Sequence, residues 1–365
     1  MKKTNIMYLC KTMDYGGTEK VVINLCENLK DEFNKIIVCS SGGVYEEKLK
    51  ELNIQHYCIN DFEDKSIKNI LSLLIKLIEI IKKENIDIIH SQHRFGTFLA
   101  SIIKKITGTK VIHTAHNVFN DKKLMTKFIS KVEFIAVGEK VKENLVNYYN
   151  IEPRKVNVIY NGISLDESDT FIVEEIEQLK QQKKFIVGNI GRVTEQKGFE
   201  YFVKSMVGVK KITEDVHYVI VGSGDKIDYI KKIIEENNLQ KNITLLGFRK
   251  DIGNIINQLD LVVLSSLWEG FPLTPLEVFS QKNTIIATNV DGTSEIVKDG
   301  INGILIDSRD ENQITKNVLK LYENKELLEN LKANAFVTYK ENFTLNLMIS
   351  RYKQFYTDLV KGCLK

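Results

Sequence analysis

The chain has 365 residues, 43% hydrophobic and 27% charged, with 51 basic against 48 acidic side chains for a net charge of +3. Two cores of ordinary size fit that length without a disulfide or metal staple, and the balanced charge excludes a broad footprint for nucleic acid. With only 3 prolines and 21 glycines in an apolar-rich sequence, disorder is excluded too. Five cysteines without a CxxC pair (Cys10, Cys26, Cys39, Cys58, Cys363) fit a reduced, intracellular setting.

The first apolar run, residues 6–10, is too short for a signal-peptide core and reads as a strand. Further β-branched runs follow at 35–40, 55–59, 87–90, 110–114, 134–137 and 156–160, with helical patterns at 19–29, 67–83 and 140–149. The most apolar stretch, 67–81, is interrupted by Lys68, Lys76 and Glu79. It has the period of an amphipathic helix, and nothing reaches the roughly eighteen apolar residues of a membrane span. The turn-rich segment Asn161-Gly162-Ile163-Ser164-Leu165-Asp166-Glu167-Ser168-Asp169 reads as a linker. Strand patterns resume at 185–190, 218–221, 243–247, 261–265, 284–287 and 304–306, and a helix over 344–360 ends the chain. Alternation of this kind predicts two α/β, Rossmann-like domains with parallel sheets and a ligand cleft between them. The expected boundaries are 1–165, 166–342 and a final helix within 343–365.

Gly16-Gly17-Thr18-Glu19 follows the first strand and opens a helix. Paired glycines there suit backbone approach to an anion, or simply a tight turn with Thr18 as N-cap. Four of six histidines cluster at two strand ends: His90 and His93, then His113 and His116 followed by Asn117. No carboxylate or cysteine stands at ligand spacing, so metal binding is disfavoured against hydroxyl binding or a buried, satisfied core role. Residues 121–131 carry four lysines (Lys122, Lys123, Lys127, Lys131) beside Leu124, Met125, Phe128 and Ile129. That segment is either a solvated helix face or a contact for an anionic membrane.

The dinucleotide fingerprint fails, because Gly188 and Gly191 are wrongly spaced and Ile227 stands where Gly222-Ser223-Gly224 needs a third glycine. The richest loop is Gly191-Arg192-Val193-Thr194-Glu195-Gln196-Lys197-Gly198, which brings a guanidinium and an ammonium to a sheet's carboxyl edge. Two cations there suit a diphosphate leaving group. Further on, Glu269 falls on a loop and Glu277 on a helix that Pro272 and Pro275 introduce. Both carboxylates can accept from hydroxyl pairs, although Glu277 alone would also suit a helix N-terminus.

Together these residues resemble the family 4 retaining glycosyltransferases of GT-B fold, over nearly the whole chain. The most specific elements are Gly191-Arg192 with Lys197-Gly198, and Glu269 with Glu277. Val158-Ile159-Tyr160-Asn161-Gly162-Ile163 and Glu295-Ile296-Val297-Lys298-Asp299-Gly300-Ile301-Asn302-Gly303 add to the likeness. The resemblance implies transfer of a sugar from a UDP- or GDP-sugar to a glycan or lipid-linked hydroxyl, in surface polysaccharide synthesis, with no cofactor and no metal. It implies catalytic roles for His116, Arg192, Lys197 and Glu269, and an acceptor side at His93, His116 and Asn117. The implied donor-binding set is Gly16, Gly17, Arg192, Lys197, Gly222, Phe248, Glu269, Gly270, Phe271, Leu273, Thr274 and Glu277. It further implies a last helix that returns to the first domain and a cytoplasmic protein, peripheral on the inner membrane face if the 121–131 contact exists. Two departures stand out: Ser164 and Leu165 precede Asp166 where the family has Asp directly, and Asp291-Gly292 replaces the usual Gly-Gly before Glu295. The rival readings are a nucleotide-sugar epimerase or isomerase of the same fold and a non-catalytic nucleotide-sugar-binding protein.

Overall fold

The computed structural model describes residues 1, 3–165 and 171–363. Asp166, Glu167, Ser168 and Asp169 of the expected linker lie outside the described residues. The chain forms two compact units, Met1–Asn161 with Leu345–Lys365, and Gly162–Thr344.

The first unit holds β1 (Asn5–Leu9), β2 (Lys35–Ser40), β3 (Gln55–Cys58), β4 (Ile88–Ser91), β5 (Lys110–Ala115), β6 (Glu133–Ala136) and β7 (Val156–Val158). They pair in parallel in the order β3-β2-β1-β4-β5-β6-β7. The second unit holds β8 (Phe185–Ile190), β9 (Val216–Val221), β10 (Ile243–Gly247), β11 (Leu261–Leu264), β12 (Ile285–Thr288) and β13 (Ile304–Ile306). These too are parallel, in the order β10-β9-β8-β11-β12-β13. Every expected strand is present with ends within two residues. Continuous Ile/Val runs explain this, because helices cover both faces of a parallel sheet and each strand position can be apolar. β1 and β9 are buried at every residue.

In each sheet the strand order reverses once, between β1 and β4 in the first and between β8 and β11 in the second. Loops leaving the carboxyl ends of strands at such a point diverge and leave room for a ligand. Those loops carry Gly16 and Gln92 in one unit, and Arg192, Lys197 and Glu269 in the other.

Two local expectations are corrected. The first helix, Gly17–Leu29, begins before Thr18, and its N-cap is Gly16 in extended backbone with no side-chain cap. The single helix expected over 140–149 divides into α-helix Glu139–Glu143 and a π-turn at Asn144–Tyr148. A tertiary tie accompanies the change: Asn144 accepts from Phe119 N (3.3 Å) and donates to Phe119 O (3.0 Å), bonds that helical periodicity cannot register.

The chain enters and leaves the second unit side by side, with Ile163 bridged to Thr344. Its last helix, Leu345–Lys361, then packs in the first unit against helix Gly17–Leu29. Tyr352, Phe355, Tyr356 and Leu359 join the core of Tyr8, Val22, Leu25 and Phe33. The buried Tyr356 hydroxyl meets His90 Nδ1 at 2.6 Å and the Tyr8 hydroxyl at 3.2 Å. Tyr356→Phe should therefore leave His90 Nδ1 buried without a partner and cost about 1–3 kcal/mol. Urea unfolding of the variant measures this directly, and an unchanged midpoint would show that the hydroxyl contributes nothing.

Candidate active site

In the second unit the loop after β8 and the loop after β11 are tied together before any ligand is considered. Leu267 N donates to Gln196 O (2.7 Å), and Ser265 Oγ donates to Lys197 O (3.1 Å) while accepting from Asn189 Nδ2 (3.0 Å). The loop after β9 closes the other side, where Val193 N donates to Ser223 O (2.9 Å). Gly222 makes that closure possible: its φ is +144°, and a Cβ there would lie 1.8 Å from Gly191 O. Only glycine allows the two backbones to touch in this way.

This scaffold sets Lys197 Nζ 2.5 Å from Glu269 Oε1, with Ser266 Oγ donating to the same oxygen at 2.7 Å. Glu269 is 5% exposed. Its charge is matched by one ammonium and one hydroxyl, which is what a buried carboxylate requires. Lys197 has three N–H donors, so two remain for other acceptors. Arg192 is exposed on the same loop. Glu277 is half-buried in the first turn of helix Thr274–Ser280, and Gly270 and Thr274 are buried nearby in sequence. Trp268 and Phe248 are largely exposed, whereas Phe271 is buried with its ring 5.8 Å from Phe343.

In the first unit the four histidines divide. His90 is fully buried between Tyr356 and Thr114 Oγ1 (2.6 Å), and burial holds it down to about 3. His113 meets Thr97 Oγ1 at 2.8 Å and is likewise held well below its usual value by burial. Both are satisfied core groups. His116 and His93 sit past the strand ends, and burial lowers each to about 4, with Lys11, Lys122 and Arg94 adding to the effect at His93. Gln92 Oε1 lies 2.8 Å from His116 Nε2. A carbonyl oxygen only accepts, so Nε2 carries the proton and Nδ1 the lone pair. Asn117, half-buried beside it, accepts from Val118 N. Among the described residues no group of three His, Cys, Asp or Glu is arranged to hold a metal ion.

Sequence reading missed Gln92, Ser265 and Ser266, and marked Asp291 only as a departure in its loop. Each is polar and lies just past a strand's carboxyl end, the signal that could have found them.

Two Rossmann-like units in tandem, each with a parallel sheet, are the architecture of the GT-B class. The model described as "Glycosyltransferase Family 4" matches residues 15–167, and that described as "Glycosyl transferases group 1" matches residues 172–337. The chain belongs to the family 4 glycosyltransferases of GT-B fold. It is 27% identical to the Escherichia coli UDP-Gal:alpha-D-GlcNAc-diphosphoundecaprenol alpha-1,3-galactosyltransferase, over 94% of each chain. It is 25% identical to an uncharacterised 41.2 kDa protein of the Klebsiella pneumoniae cps region, over 96% of this chain and 100% of that one. The crystal structure of a Rickettsia africae glycosyltransferase superposes with a TM-score of 0.86 at 26% identity, covering 99% of this chain and 100% of that one. Anabaena HepE, crystallised with UDP-glucose, shares the fold with a TM-score of 0.85 at 17% identity, over 97% and 99%.

The Lys197–Glu269 pair is testable by a double-mutant cycle. Lys197→Met strands a buried carboxylate and should cost about 3–5 kcal/mol in urea unfolding, whereas Lys197→Met with Glu269→Gln should recover most of it. Strictly additive costs would rule out the coupling.

Proposed function

We propose that the protein transfers a hexose from a UDP- or GDP-sugar to a hydroxyl of a glycan or lipid-linked acceptor, with retained anomeric configuration, in surface polysaccharide assembly. The observation that carries the reading is the buried Lys197–Glu269 pair at the second switch point, with Arg192 on the same loop as Lys197. Arg192 and Lys197 would bind the diphosphate, whose charge grows as the glycosidic bond breaks, so their attraction is strongest in the transition state. In this role they serve in place of a metal ion. Glu269 keeps one oxygen on Lys197 and Ser266 and offers the other to a sugar hydroxyl. Glu277 would take the ribose hydroxyls, with Gly222, Phe248, Gly270, Phe271, Leu273 and Thr274 around the donor and Gly16 and Gly17 toward its diphosphate.

The neutral His116, its lone pair on Nδ1, would stand near the reacting centre, with His93 and Asn117 on the acceptor side. A front-face displacement fits these groups. A carboxylate bound to an ammonium and a hydroxyl is a poor nucleophile, and retaining hydrolases use two carboxylates across the bond instead. The E. coli relative's name supports a UDP-sugar donor and a diphospholipid-linked acceptor, the K. pneumoniae relative a capsule-region setting, and HepE a UDP-sugar on this fold.

A membrane-facing role for the first unit goes with a lipid-linked acceptor. Residues 94–131 hold eight basic side chains and one acidic, a surplus of seven in a chain of total +3. Leu124 (86% exposed), Ile106 (63%), Phe128 and Phe119 project among Lys105, Lys122, Lys123, Lys127 and Lys131. The single acid, Asp121, is engaged by Arg94 at 2.6 Å. Apolar tips ringed by lysines suit the headgroup region of an anionic cytoplasmic leaflet. No helix among the described residues is long and apolar enough to cross a membrane.

Assay against a panel of UDP- and GDP-sugars with undecaprenyl-diphosphate-linked and free-sugar acceptors should give a product of retained configuration by NMR, at a rate unchanged by EDTA. Arg192→Ala should lose about 100- to 1,000-fold in turnover with its melting temperature kept. Epimerised donor without acceptor would replace the reading with an isomerase, and binding without turnover would replace it with a binding protein. Separately, the protein should sediment with phosphatidylglycerol vesicles and not with phosphatidylcholine alone. Replacing Lys122, Lys123 and Lys127 by Glu should weaken that binding about 100-fold or more. Equal binding to both vesicle types would dismiss the membrane contact.

A further inference from the structure

The loop after β12 carries Asp291, and the structure gives that side chain a place. The loop lies directly on the Glu269 backbone: Gly292 N donates to Glu269 O (3.4 Å), and a Cβ on Gly292 would fall 1.9 Å from Gly270 O. Glu269 N in turn points at Asp291 Oδ2, 3.4 Å away. Two carboxylates therefore adjoin, and they are not equally provided for. Glu269 has Lys197 and Ser266. Asp291 is half-buried and has no ion pair among the described residues, only the long contact from Glu269 N.

Three further observations mark the loop as unfinished by the protein alone. Asp291 sits at φ +34°, a conformation that glycine adopts at less cost. Two residues on, the Thr293 hydroxyl is fully buried and lacks a hydrogen-bond partner. Burial, with the Glu269 carboxylate alongside, pushes the Asp291 carboxyl above its usual range. A side chain kept in strained backbone, desolvated and without a cation, is a burden on the fold. A ligand that donates a hydrogen bond at this spot would lift it.

We propose that Asp291 is a specificity residue for the donor, its carboxylate accepting a hydrogen bond from an O–H or N–H of the transferred sugar. This rests on the reading that Glu269 faces that sugar. A half-buried acceptor left unpaired penalises any donor that lacks the matching group, so Asp291 selects between sugars that differ at one substituent. The nucleotide is recognised elsewhere, by Arg192, Lys197 and Glu277, and is indifferent to this side chain.

The test uses Asp291→Gly and Asp291→Asn in the full chain. Glycine relieves the positive φ, so folding is not at risk, and Asn keeps the shape while removing the charge. Initial rates are measured with UDP-glucose, UDP-galactose, UDP-N-acetylglucosamine, UDP-N-acetylgalactosamine, GDP-mannose and GDP-fucose, and binding of UDP and GDP is measured by calorimetry. Asp291→Gly should lower kcat/KM for the preferred donor by about 100-fold and bring the preference between 4-epimers or 2-substituents to within about tenfold. UDP affinity should stay within about threefold, and Asp291→Asn should fall between. The raised carboxyl also sets a sign: wild type loses stability as pH rises through that group's folded value. Asp291→Gly should thus gain melting temperature, more at pH 8 than at pH 4. Unchanged donor preference in Asp291→Gly overturns the proposal, as does a loss of UDP affinity equal to the loss of turnover, which would mark a structural role. If wild type binds neither UDP nor GDP, the donor assignment itself fails, a different result from either.

Discussion

One buried ion pair organises the second unit's site. Lys197 belongs to the loop after β8 and Glu269 to the loop after β11, and their contact at 2.5 Å spans the point where the strand order reverses. Each side chain would be costly where it lies without the other, because the carboxylate is 5% exposed and the ammonium only partly so. The pair therefore fixes both loops and leaves two ammonium donors and one carboxylate oxygen uncommitted by it. The Ser265 hydroxyl and backbone ties from Gln196 and Ser223 hold the same loops, so the polar groups are preorganised before a ligand arrives.

The first unit solves a different problem. Its four clustered histidines stand on or just past the adjacent strands β4 and β5, and the depth of each along its strand decides what it can do. His90 and His113, within β4 and β5, spend their nitrogens on Tyr356, Thr114 and Thr97. His116, one residue beyond β5, is oriented by Gln92 and remains neutral because burial disfavours its charged form. The last helix of the chain completes the core behind His90, which links the fold's closure to the strand that leads into Gln92 and His93.

Charge was legible only in its distribution. A total of +3 is nearly silent, yet residues 94–131 hold a surplus of seven and the remainder of the chain is net acidic. The lysines of 121–131 were visible as a run. Their company with Ile106 and Lys105, from the neighbouring helix Arg94–Thr107, depended on helix packing: Phe128 lies 4.9 Å from the Phe98 ring, under the Lys105 ammonium.

By itself the sequence determined the thirteen strands, their tandem grouping, and the positions of Arg192, Lys197, Glu269 and Glu277 near strand or helix ends. Burial on two faces writes itself as uninterrupted Ile and Val, and glycine and proline mark the loops between. The tertiary structure alone decided which histidines are core, that Glu269 pairs with Lys197 from 72 positions away, and that Asp291 adjoins it with no ion pair among the described residues. Helix Leu345–Lys361 belongs to the first unit, as the family resemblance implied and periodicity alone could not show. The reason is physical: periodicity reports how each residue meets its local surroundings, whereas the partner of a polar side chain is chosen by strand order and loop contact, which carry no period along the chain.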